Sequence, residues 1–385
     1  MAILDDLANE LLIDIVSRLR CDNQALFSLA VVSRRFCTIT SQLIFRHITL
    51  ENDPAPDPPS PEYDGAGVRK KTKALLLRSL CENDALSKEV RSCGPIEILP
   101  VPPLLQHGVD PIGFDLLSRC SNLEEVHIYC SIATTQDPPP HGMNDIFALL
   151  PRLQHLEAIS LAGYPRSQTI AACLLVPSLR SLSVNNVSIM SLDDNDSENL
   201  LLQNSEHKFL RKLSISGDKW QRGPRGVCKT STLNQLLLSC PGLEELHLDL
   251  PLGFSFWGYP PPEYTFSAIG IADSLRSLRD TLTVLQLTIP WRGLVESSDV
   301  PVDLSDLVRV EDLKISASCL LPMEPGPDGR HKLYQALPTN LEALHVGILE
   351  VIVPFNILTC DVGAILACGR PIGGIFYQVG DYRRR

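Results

Sequence analysis

The sequence predicts an α/β chain in which a small N-terminal module of three helices precedes a long run of parallel-strand repeats. Three observations carry that prediction. Residues 7–48 hold apolar residues at helical spacing, residues 52–67 form a proline-rich break, and an apolar triplet spaced Leu-x-x-Leu-x-Leu returns eight times between Leu123 and Val346. Domain bounds follow as 1–50 for the helical module, 51–72 for a linker or loop, 73–348 for the repeats and 349–385 for an irregular C-terminal tail or cap.

The first helix is read over Leu7 to Leu19, with Leu11, Leu12, Ile15, Val16 and Leu19 on one apolar face. Asp5, Asp6 and Glu10 sit near its start, where negative charge is favoured by the helix dipole. A second helix starts near Asp22, an N-cap residue type, and runs through Leu26, Leu29 and Ala30; a third carries Val32, Phe36 and Ile39. A helical module this small buries too little surface to be stable unaided, so it must pack on something. One face can dock on Ile48 and Leu50, the expected first strand, which leaves another for a partner or for capping the repeats.

These residues resemble the F-box. That family's pattern runs Leu-Pro-x-Glu-Leu-Leu, then Ile/Val and Leu positions, then Leu-x-x-Val-x-Arg/Lys-x-Phe. The corresponding stretches here are Leu7-Ala8-Asn9-Glu10-Leu11-Leu12, Ile15-Val16 and Leu29-Ala30-Val31-Val32-Ser33-Arg34-Arg35-Phe36, followed by Leu43-Ile44-Phe45-Arg46-His47-Ile48. The match spans about residues 3–48, with Ala8 in place of the usual proline, a change that weakens helix entry modestly. The resemblance implies that a Skp-type adaptor, and through it a cullin, binds this module. Leu7, Leu11, Leu12, Ile15, Val16, Leu29, Val32 and Phe36 form the set that faces the adaptor or packs the module; sequence alone does not divide those roles.

Asn52 to Gly67 is too rich in proline for a strand ladder or a helix interior. After it, Lys73 to Leu80 has a helical pattern and Val90 to Ile98 that of a degenerate strand, so the repeats can begin before Leu123.

The eight triplets are Leu123-Val126-Ile128, Leu156-Ile159-Leu161, Leu179-Leu182-Val184, Leu210-Leu213-Ile215, Leu243-Leu246-Leu248, Leu282-Leu285-Leu287, Val310-Leu313-Ile315 and Leu341-Leu344-Val346, which recur every 23 to 39 residues. The second and third members alternate with polar residues, which predicts a short strand with one buried face, and the first closes the turn into it. Helical stretches such as Met143 to Leu150 and Thr232 to Ser239 supply crossovers between parallel strands. The pattern resembles the leucine-rich repeat and implies a solenoid. It departs from that family where a polar Asn or Cys should follow the strand and tie off the next turn, so irregular turns are expected. Insertions at 137–140, 252–262 and 324–329 project between repeats. The middle one concentrates Phe254, Phe256, Trp257 and Tyr259, which either fold back on the repeats or form a target-binding loop.

A net charge of −11 argues against nucleic acid as the main ligand. No apolar run is long enough to span a bilayer and no basic signal-peptide region begins the chain, so an intracellular protein, cytoplasmic or nuclear, is expected, with no membrane contact. Twelve scattered cysteines without Cys-x-x-Cys read as reduced thiols; Cys120 and Cys240 share one repeat position, where a small buried residue packs well. His127, His247 and His345 share a strand position but are several repeats apart, too far to hold one ion, so no metal or other cofactor is expected. The catalytic and phosphate-loop motifs searched for are absent. The expectation is a non-catalytic substrate-recognition subunit of a Skp-cullin-F-box type ubiquitin ligase, its repeats binding an unknown protein target. The alternative is a leucine-rich-repeat scaffold outside the ubiquitin system.

Overall fold

The computed structural model describes residues 8–19, 23–49, 75–76, 78–98, 111–130, 148–163, 167–187, 207–217, 230–249, 268–289, 302–320, 335–348 and 374–379. It divides the chain into two compact units, Met1–Ile159 and Ser160–Arg385. Within each unit, strand order follows chain order.

The first unit opens with helices α1 (Asn9–Ser17), α2 (Asn23–Ala30) and α3 (Arg34–Arg46). Their core is Leu12, Val16, Leu26, Phe36 and Ile39, with Leu19, Leu29, Leu43 and Ile44 packed against it. Helix α3 is started by Ser33, whose hydroxyl accepts from the Phe36 N–H at 3.3 Å, and so Val32 lies in the turn before this helix rather than on it. Ala8 is the residue before the first turn of α1, and its carbonyl accepts from the Leu12 N–H at 3.1 Å. Leu7 and Asp22 fall outside the described residues.

Strand β1 (His47–Thr49) follows α3 directly, with Ile48 buried. Residues 75–76 and 78–82 are helical, as the pattern over Lys73 to Leu80 predicts. Next come α4 (Asp84–Glu89), β2 (Ser92–Ile98), α5 (Pro111–Arg119), β3 (Glu125–Cys130), a 3-10 turn at Leu150–Arg152, and β4 (Ala158–Gly163), in which the boundary between the two units falls. The degenerate strand is thus real: Val90, Cys93 and Ile96 are buried where a triplet would stand. It pairs in parallel with β3, with a shift in register between Cys93 and Ile96. Gly94 explains why the pattern is degenerate there. Its φ of +151° is one that side chains rarely adopt, and a Cβ would meet the His127 Cβ at 2.5 Å.

The second unit contains α6 (Ser167–Leu174), β5 (Ser181–Val187), β6 (Lys212–Gly217), α7 (Thr230–Leu238), β7 (Glu245–Asp249), α8 (Ala268–Arg276), β8 (Val284–Thr288), β9 (Asp312–Ser316), α9 (Ala317–Leu320), β10 (Ala343–Ile348) and β11 (Gly374–Val379). From β5 to β11 every pairing is parallel. The second triplet residues Leu182, Leu213, Leu246, Leu285, Leu313 and Leu344 stand side by side across the strands. The third residues, Val184, Ile215, Leu248, Leu287, Ile315 and Val346, form a second row two residues along, and both rows are buried. Each such side chain removed from water contributes about 1.5–3 kcal/mol. β11 lies within the stretch read as an irregular tail or cap, and it continues the ladder from β10.

The first triplet residue closes the turn as expected. The N–H groups of Leu123, Leu156, Leu179, Leu243 and Val310 each donate to the carbonyl three residues earlier, at 3.2–3.3 Å. Those acceptors include Cys120 and Cys240, both fully buried, which take the place that Leu153, Val176 and Leu307 hold in other repeats. Burial pushes the two thiols up to about 12 and about 11, so at neutral pH they are packed as protonated, apolar groups.

On the other side of the strands, at the turn that leads into them, side chains tie some repeats to the one before. The residue just before four of the triplets sends a donor to a carbonyl of the preceding repeat. Asn122 Nδ2 donates to Lys88 O at 2.9 Å, Thr281 Oγ1 to Pro241 O at 3.3 Å, Arg309 Nη1 to Asp280 O at 3.1 Å, and Asn340 Nδ2 to Val308 O at 2.6 Å. The residue just after the first triplet member adds a backbone rung. Glu124 O, for example, accepts from both Glu157 N and Ala158 N, and Arg211 O from both Glu244 N and Glu245 N.

Candidate protein-docking surfaces

Two surfaces present side chains that no internal packing uses. The first lies on the helical module. The five apolar residues read as one face of α1 divide into two. Leu12 and Val16, with Leu19, turn into the core against Phe36 and Ile39. Leu11 and Ile15, one residue earlier and therefore about 100° around the helix, stay 54% and 46% exposed. Val31 and Val32, in the turn between α2 and α3, are 86% and 67% exposed. A hydrogen bond from Arg35 Nε to Asn9 Oδ1, at 2.8 Å, ties the start of α3 to the start of α1.

The predicted set thus separates by environment. Leu12, Val16 and Phe36 are core, Leu29 is partly buried against them, and Leu11, Ile15 and Val32 face out. Ile13 and Val31 are also exposed and were not in the set. The spacing of Ser33 and Phe36, a hydroxyl three residues ahead of an apolar one, is the sequence signal that ends the preceding turn and leaves Val31 and Val32 outside both helices. Around this strip the polar groups are local: Asp14 pairs with Arg18 at 3.1 Å, and both are exposed.

The second surface is the open side of the strands in the second unit, where the residues alternating with the buried rows emerge. β5 and β6 present a neutral network: Asn185 Nδ2 donates to Ser183 Oγ at 3.0 Å, and Ser216 Oγ donates to Asn185 Oδ1 at 3.1 Å. From β6 to β10 the face becomes charged. Lys212 pairs with Glu245 at 2.7 Å, and His345 Nε2 lies 3.9 Å from Asp312. His247 stands among them, its pKa held below the usual imidazole value by partial burial first and by Lys212 and Lys314 next, with Glu245 and Asp312 pulling the other way.

Two glutamates that follow the first triplet residue pair with an arginine of the preceding repeat. Glu124 meets Arg91 at 3.2 Å, and Glu244 meets Arg211 at 3.1 Å. Each partner occupies the same position one repeat earlier, so at these two places an Arg is followed one repeat later by a Glu in the same column.

No set of three His, Cys, Asp or Glu residues able to hold a metal ion occurs among the described residues, and none of their helices is long and apolar enough to cross a membrane. The buried thiols of Cys93, Cys120 and Cys130 are all pushed up to about 12 by desolvation, which removes them as nucleophiles at neutral pH. Phe254, Phe256, Trp257 and Tyr259 lie outside the described residues.

No protein-family model and no curated protein sequence matches this chain. Among solved structures, an LRR protein of Leptospira interrogans aligns over 78% of this chain and 68% of its own length, at 14% sequence identity and a TM-score of 0.29.

Proposed function

We propose that the chain is a substrate-recognition subunit of a Skp-cullin-F-box type ubiquitin ligase. Its helical module docks on a Skp-type adaptor, and its strand repeats bind a protein target. The observation that carries this reading is the surplus of apolar surface on a module whose core is already filled. With Leu12, Val16, Leu26, Phe36 and Ile39 packed together, Leu11, Ile15, Val31 and Val32 remain in water, and they fall on the segment that resembles the F-box. Apolar side chains left exposed beyond a filled core are candidates for a protein interface. The chain would make and break no bonds. Its contribution would be proximity, raising the effective concentration of target lysines beside an activated ubiquitin carrier.

The test is complex formation with a Skp-type adaptor, followed by size exclusion and calorimetry. Leu11→Asp with Ile15→Asp is expected to abolish binding while leaving the fold intact, because each apolar anchor contributes about 2 kcal/mol and buried charges add cost. Unchanged affinity in the folded double variant would overturn the assignment.

One observation favours a second reading, a repeat scaffold with the module as its cap. β1 follows α3 without a loop, and the Arg91 N–H donates to Arg46 O at 2.9 Å, so the module's last helix is built into the start of the strand ladder. That reading expects a stable monomer in which residues 1–50 resist proteolysis with no adaptor present.

A further inference from the structure

We draw no further inference here: the strongest candidate, the exposed apolar side chains of Leu175, Phe209 and Leu238 where the second unit's chain turns into β5, β6 and β7, carries nothing because nothing in the structure shows what covers them.

Discussion

The strand repeats and the helical module spend their apolar residues differently. In the repeats, alternation assigns every triplet residue to one side, and all are buried. In the module, apolar residues outnumber the places in its core, so α1 buries Leu12 and Val16 while Leu11 and Ile15 remain exposed. A strand of period two has only two faces, and a parallel ladder with one packed face fixes which is inside. A helix has a continuous circumference, so an apolar arc wider than its neighbour's footprint leaves a remainder. That remainder is where a partner would bind.

The sharpest way to break the comparison is truncation at matched leucines. Leu246→Ala, in the middle of the buried row, is expected to cost about 2–5 kcal/mol, whereas Leu11→Ala should stay within about 0.5 kcal/mol. Chemical denaturation of both variants measures the difference, and equal losses would mean that Leu11 belongs to the core.

A smaller effect is expected where repeats meet backbone to backbone. A Cβ at Gly242 would lie 2.5 Å from Lys208 O, whereas Asn122 at the equivalent place bonds Lys88 O. Gly242→Ala should therefore destabilise by about 1–3 kcal/mol, since the obstructing atom is a carbonyl and not a side chain that can swing away. A melting temperature equal to wild type would show that the turn relaxes freely.

Smaller again is the loss of one inter-repeat donor. Asn340→Ala removes the 2.6 Å bond to Val308 O and is expected to cost about 1 kcal/mol, with Asn340→Asp failing to restore it because a carboxylate donates nothing. Thermal melts of the two variants measure the loss, and melting temperatures equal to wild type would show that this bond contributes nothing.

The smallest effect is pH dependence. Burial holds His247 below its usual 6.5, and His207 likewise, so the unfolded chain takes up protons before the folded one as pH falls. Their contribution to stability is complete above about pH 6.5 and declines below it, toward the lower folded values. His247→Gln should flatten part of the fall in melting temperature between pH 7 and pH 5; an identical slope would show that other groups set it.

Much of this was legible beforehand. All eight triplets fall where the strands or their entry turns form, because a buried face of period two is a local signal. The earlier copy at Val90 to Ile98 was legible as a degenerate strand, its alternation broken by a glycine at positive φ. Two things were not legible. The donors before four of the triplets are chemically mixed, Asn, Thr and Arg, so no single letter marks them. The placing of Val32 on the third helix failed because a cap at Ser33 starts that helix after it.

The sequence by itself determined that the chain is an α/β repeat with a helical start, which residues line the strand core, and that Cys120 and Cys240 share one buried repeat position. Those properties depend on spacing along one short segment. Only the tertiary structure decided which side of α1 faces in, which carbonyl each turn donor reaches, and that Arg91 and Arg211 hold Glu124 and Glu244. Those depend on a neighbour more than twenty residues away, here Phe36 of α3 or the preceding repeat, and such a neighbour leaves no mark on the local pattern.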